Sequence, residues 1–190
     1  MTRIADLLDA GPTLSFELFP PKTDDAERLL EKCVVELAEL RPSFVSVTYG
    51  ALGSTRERTR DVVVRINREQ SFPAMPHLTC VGHTRQDIAE LLDQYAANGI
   101  ENILALGGDP PADGSDAEGD YQHAIELVEQ VRAHPGGFSI GVAAHPEVHP
   151  RSPDRASDRR HLAEKLAAAD FAMTQFFFTL DDYLRLVDEL

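Results

Sequence analysis

Short apolar runs alternate with longer amphipathic stretches along the whole chain. The runs Thr13–Leu18, Ser43–Tyr49, Ala74–Val81, Ile100–Leu106, Phe138–Ala144 and Phe171–Phe178 have the length and residue types of buried strands. The stretches between them space their apolar residues by three and four. Leu29, Leu30, Cys33, Val34 and Leu37 do so within Arg28–Leu40, and Ile88, Leu91, Leu92 and Tyr95 within Gln86–Ala97. Helices are likewise predicted over Thr55–Glu69, Tyr121–Ala133, Ser157–Ala169 and Leu180–Leu190. Thr84 with Asp87 is a start signal for one of them, and Asn98-Gly99 is its stop signal. Strand followed by helix without interruption predicts right-handed βαβ units around a parallel sheet.

Spacing decides between the two common α/β architectures. The mean repeat is roughly 31 residues, a normal length for one βαβ step. An open doubly wound sheet usually carries a glycine-rich phosphate loop after its first strand. Here the first strand runs into Phe19-Pro20-Pro21-Lys22, which has no glycine. The expectation is therefore an α/β fold of the (β/α)8 TIM-barrel type. A closed barrel at this repeat needs ~250 residues, so residues 1–190 are read as a single barrel domain of about six units, stopping before closure.

Composition narrows the partners. Eighteen Lys and Arg against 32 Asp and Glu give a net charge of −14, which repels phosphate backbones and argues against nucleic acid. No apolar run approaches the ~20 residues of a membrane helix, and the first ten residues, MTRIADLLDA, place acids inside their only apolar stretch, unlike a signal peptide. Cys33 and Cys80 are far apart and form no CxxC pair, a pattern suited to a reducing, cytoplasmic setting.

In parallel α/β folds the carboxyl ends of the strands build the site. Those ends carry Glu17, Thr48 and Tyr49, His77 and Thr79, Gly107-Gly108-Asp109, His145, Glu147 and His149, and Thr174 and Gln175. Glu17 stands among Phe16, Leu18 and Phe19. Burial there would raise its pKa and make it a general acid, with an exposed edge-strand acid as the bland alternative. Gly107-Gly108 would let a ligand approach the backbone, or simply form a turn. His145 and His149 sit four apart, but Pro146 prevents the helix that an HExxH metal site requires, so no metal is expected. Gln175 would need amide partners if buried. The run Phe176–Phe178 is expected in the core, Arg56, Arg58 and Arg60 on a solvated helix start, and Asp113–Asp120 in a mobile loop near the site mouth. An aldolase would need a Schiff-base lysine at a strand end, whereas Lys22, Lys32 and Lys165 fall on a loop or on helices.

Six segments in order resemble the motifs of bacterial-type methylenetetrahydrofolate reductases: SFELFPPKT, FVSVTYGA, PHLTC, ILALGGDPP, AAHPEVHP and MTQFFF. The resemblance runs from about Leu14 to the last residue, and roughly the final third of the family's eight-unit barrel has no counterpart in these residues. It implies reduction of 5,10-methylenetetrahydrofolate to 5-methyltetrahydrofolate by NADH or NADPH through bound FAD, in one-carbon metabolism that serves methionine biosynthesis. It implies a small-molecule folate as partner, and homo-oligomers occur in the family. By position, Glu17 matches the general acid, Asp109 the carboxylate near flavin and folate, and Gln175 the amide that reads the pterin. Thr48, Tyr49, Ala51, His77, Gly107, Gly108, Asp109, Tyr121, His145, His149, Asp158, His161 and Lys165 fall at cofactor-binding positions, Lys165 toward the phosphates. Three positions vary: Gly107 replaces the usual Arg and His145 the usual Tyr, while His161, often Asn, has precedent as His. Direct hydride transfer without flavin, and a non-catalytic flavin- or folate-binding fragment, are the alternatives.

Overall fold

The computed structural model describes residues 2–49, 56–109 and 119–190. Its elements alternate as the pattern predicts: α1 (Ile4–Ala10), β1 (Ser15–Leu18), α2 (Asp24–Ala38), β2 (Phe44–Val47), α3 (Arg56–Glu69), β3 (Ala74–Thr79), α4 (Arg85–Ala97), β4 (Asn102–Leu106), α5 (Ala124–Ala133), β5 (Ser139–Ala144), α6 (Arg155–Ala168), β6 (Phe171–Thr174) and α7 (Leu180–Asp188). The strands pair in parallel, each with its sequence neighbour, in one six-stranded sheet ordered β1-β2-β3-β4-β5-β6. The sheet curls into an incomplete (β/α)8 barrel. The Thr84–Asp87 capping box is present, each side chain accepting from the other residue's backbone N–H, and Gly99 leaves α4 at φ +71°.

Alternation along each strand separates two apolar layers. Phe16, Leu18, Val45, Val47, Leu78, Ile103, Ile140 and Val142 face the helices and join Val34, Ile66, Leu92, Tyr95 and Val128 in the main core. Burying each such side chain contributes about 1.5–3 kcal/mol, so this layer dominates stability. The opposite face lines the concave side of the sheet, where Phe44, Met75, Leu104 and Phe171 pack with Ile4. Gly141 permits this floor: a Cβ there would stand 2.6 Å from the Phe171 ring.

The helix that supplies Ile4 was not predicted, because seven residues show too little periodicity. Side chains at the strand starts fix it instead: Ile4 N donates to Asn102 Oδ1 at 2.7 Å, Ala5 N donates to Ser139 Oγ at 3.4 Å, and Asn102 Nδ2 donates to Thr2 O at 3.2 Å.

Two expectations are corrected. The run Phe176–Phe178 is not core: β6 ends at Thr174, Phe176 and Phe178 are exposed, and Phe177 stacks on Tyr183. Nor is the start of α3 merely solvated, since Arg58 Nη1 donates to Pro21 O at 2.8 Å and ties that helix to the rigid exit of β1. Residues 113–118 of the expected mobile loop lie outside the described residues. No helix among the described residues is long and apolar enough to cross a membrane.

Candidate active site

The inner face turns polar toward the carboxyl ends of the strands. Glu17 pairs in register with Ser46, which pairs with Met75, and His77 lies two residues further along the same face of β3. Glu17 Oε2 lies 3.7 Å from His77 Nε2. The predicted wall of phenylalanines around Glu17 is not found. Phe16 points to the opposite face into the helix-side core, Phe19 is exposed, and the Glu17 side chain is 50% exposed. Strand alternation explains this: a carboxylate between two apolar neighbours in sequence is across the sheet from them.

His77 is the buried member of the pair. Its Nε2 lacks a hydrogen-bond partner among the described residues, and desolvation lowers its pKa to about 4, so the imidazole is neutral at pH 7 and the contact with Glu17 is not an ion pair there. An unfolded His binds its proton near pH 6.5, whereas folded His77 does not until about pH 4. The native state therefore binds fewer protons across that window, and stability falls as pH drops through it, by about 3 kcal/mol for this group. Chemical unfolding at pH 7 and pH 4 should show the parent losing more stability than His77→Asn by about this amount. Parallel losses in the two proteins would contradict this assignment.

At the next exits, Thr48 N donates to Leu18 O at 2.9 Å, and the Tyr49 hydroxyl meets His83 Nε2 at 2.9 Å. The first bond ties the β2 exit to the end of β1, and the second ties it to the β3 exit. At the end of β4, Gly108 has φ +85°, and a Cβ there would lie 3.0 Å from Val81 Cβ and 3.1 Å from Thr79 Cβ. Glycine is required for the backbone to run this close to its neighbour. Gly107 is half-buried, and Asp109 beyond it is exposed.

The β5 exit is the most connected. His145 and His149 rings meet edge to face at 4.5 Å, in an irregular loop, as Pro146 requires. Asp158, buried on α6, accepts from His149 N at 3.2 Å and Ser152 Oγ at 3.0 Å. Lys165 Nζ donates to Ala143 O at 3.2 Å, and burial lowers its pKa. Burial first, then the charge of His149, lowers the pKa of His145; burial, then Arg151, lowers that of His149. Both imidazoles therefore favour the neutral form. Arg151 Nη2 reaches across to donate to Gly108 O at 3.1 Å.

Not every predicted residue joins this assembly. The Tyr121 hydroxyl donates to Gln130 Oε1, and its ring lies under the Arg85 guanidinium, 5.0 Å from ring centroid to Cζ. Burial pushes its pKa up to about 12. His161 is exposed on α6, its Nδ1 3.2 Å from Glu164 Oε2. Gln175 is exposed just past β6, so it needs no buried amide partners, and its N–H donates to Ala144 O at 2.8 Å. Ala51 lies outside the described residues. No group of three or more His, Cys, Asp or Glu among the described residues could hold a metal ion.

Comparison with known proteins decides the family. The model of the methylenetetrahydrofolate reductase family matches residues 2–190. This chain belongs to that family. A Pectobacterium carotovorum 5,10-methylenetetrahydrofolate reductase is 40% identical over 176 residues, which cover 92% of this chain and 58% of the relative. The Arabidopsis thaliana methylenetetrahydrofolate reductase (NADH) 1 is 36% identical over 203 residues, covering 98% of this chain and 34% of that protein. The chain thus spans less than two thirds of the length of the curated relatives it matches. Among solved structures, a Clostridium thermocellum protein that binds two copies of 5-methyl-5,6,7,8-tetrahydrofolic acid shares the fold at a TM-score of 0.62 and 14% identity, over 97% of this chain and 61% of that one.

The donor set is compatible with the flavin that membership in the reductase family implies. The buried His77 Nε2, unpartnered among the described residues, the glycine exit at 108 and Arg151 belong to neighbouring strand ends, and Lys165 reaches the end of β5 from α6. They offer donors to a ring system and to an anionic tail.

Proposed function

We propose that this chain reduces 5,10-methylenetetrahydrofolate to 5-methyltetrahydrofolate, with NADH or NADPH as reductant, FAD as relay and Glu17 as general acid. The observation that carries this reading is the placement of Glu17 beside neutral His77 on the inner face of the sheet, in a chain of this family. The names of the relatives support the reaction, and the folate-binding neighbour of like fold supports the substrate class.

Glu17 donates its proton to N10 of the bound folate. The bond from N10 to the bridging carbon breaks, leaving an iminium at N5, and a hydride added to that carbon completes the methyl group. A pterin seated over the half-exposed Glu17 would exclude water from the carboxyl and hold it against the reacting nitrogen. Gln175 hydrogen-bonds the pterin. Asp109 places a negative charge where hydride departure is favoured. Thr48, Tyr49, His77, Gly108, His149 and Lys165 hold the cofactor, which when bound supplies a two-electron relay between nicotinamide and folate.

A second reading has a specific observation behind it. Gly107 offers no side chain where the family usually places an arginine, which favours direct hydride transfer without flavin. The visible spectrum of the purified full chain, titrated with FAD, separates the two. Tight flavin binding with folate turnover supports the first reading. Colourless protein that binds no added FAD yet reduces the folate with NADH supports the second.

A further inference from the structure

We infer that Arg151 supplies, from the β5 exit, the guanidinium that position 107 lacks, and that it holds the phosphate-bearing part of the flavin cofactor. This inference rests on the flavin reading above.

The geometry is local and specific. A Cβ built on Gly107 would stand 3.9 Å from Arg151 Nη2. The guanidinium therefore occupies space that a longer side chain at 107 would claim. Its bond to Gly108 O fixes it over the β4 exit and uses one of the five N–H donors of an arginine. Among the described residues no other acceptor engages that guanidinium, and the residue is exposed on the loop. The remaining donors form a planar fork suited to a phosphate. Its charge is felt at both exits, lowering the pKa of His149 after β5 and opposing the rise in that of Cys80 after β3. Lys165 provides a second cation at the β5 exit.

An arginine from a different strand exit thus stands within contact distance of position 107. A long side chain there would share its surroundings, so the two positions are tested together.

The test is a binding titration, read by flavin fluorescence, of FAD and of riboflavin, which lacks phosphate, against the full chain and its variants. Arg151→Ala should weaken FAD roughly tenfold or more, as for loss of a charge-assisted hydrogen bond, and leave riboflavin unchanged. Arg151→Lys should keep part of the affinity. Adding Gly107→Arg to Arg151→Ala should restore FAD, and high salt should narrow the difference between parent and Arg151→Ala. Unchanged FAD affinity in Arg151→Ala, with tight binding by the parent, overturns the inference and leaves the flavin reading intact. Equal losses for FAD and riboflavin also overturn it, because they would mark a role in loop packing through Gly108. A parent that binds neither ligand removes the flavin reading and this inference together.

Discussion

Replacing Glu17 by Gln should lower folate reduction by roughly 10²–10⁴-fold, the usual contribution of a positioned general acid, while NAD(P)H oxidation through flavin stays near the parental rate. The amide has the same shape and should leave folate affinity within a few-fold, but it has no acidic proton for N10. Glu17 lies at the edge strand β1, half exposed and 3.7 Å from a histidine that stays neutral at pH 7. Substitution there should disturb neither the helix-side core nor the α1 floor. Measuring the two half-reactions separately checks this. Loss of both would mean a general defect in the site, and retention of both would remove Glu17 from the chemistry.

Arg159→Ala should destabilise the protein by about 3 kcal/mol, toward the lower end of what breaking a buried pair costs. The Arg159 guanidinium is buried and holds the β5 exit together. Its Nη1 donates to Asp158 Oδ2 at 2.6 Å and to His145 O at 3.1 Å, its Nη2 to Pro146 O at 2.8 Å, and its Nε to Glu189 Oε2 at 2.7 Å. Truncation strands the buried Asp158 carboxylate and two carbonyls. Glu189 is close enough to solvent to recover hydration, which limits the loss. Because Asp158 also accepts from His149 N, the loop carrying His145 and His149 should loosen, and flavin affinity should fall with stability. Urea unfolding reads the first effect and a flavin titration the second. A change below about 0.5 kcal/mol, as for an ordinary surface residue, would contradict the assignment of Arg159 as the anchor of this loop.

The strands and helices were legible because each carries one apolar face whose period is set by its own geometry. Val45 and Val47 alternate toward the helices, and Ile88, Leu91, Leu92 and Tyr95 all point back at the sheet. The helix α1 was not legible because it is held through Asn102 and Ser139, about 100 and 134 residues away in sequence. Phe176–Phe178 misled because a run of aromatics looks like core wherever it occurs, and only the end of β6 at Thr174 sets it outside. In the site, motif order marked the strand ends, but nothing in the sequence singled out the 3.7 Å approach of Glu17 to His77. The burial assumed for Glu17 ignored that its sequence neighbours face the other way. Arg151 and Arg159 were missed for a common reason: both lie in a polar stretch, and their partners are carbonyls and carboxylates that no periodicity marks. Reading Gly107 against the cations of adjacent loops would have been the available signal for Arg151.

The most direct measurement is product formation: the full chain, given FAD, 5,10-methylenetetrahydrofolate and NADH or NADPH, followed by mass analysis of the folate. Accumulation of 5-methyltetrahydrofolate in step with nicotinamide oxidation is the predicted result. Folate that binds and is recovered unreduced with either nicotinamide would contradict it, and would make the strand-end cup a binding module without catalysis.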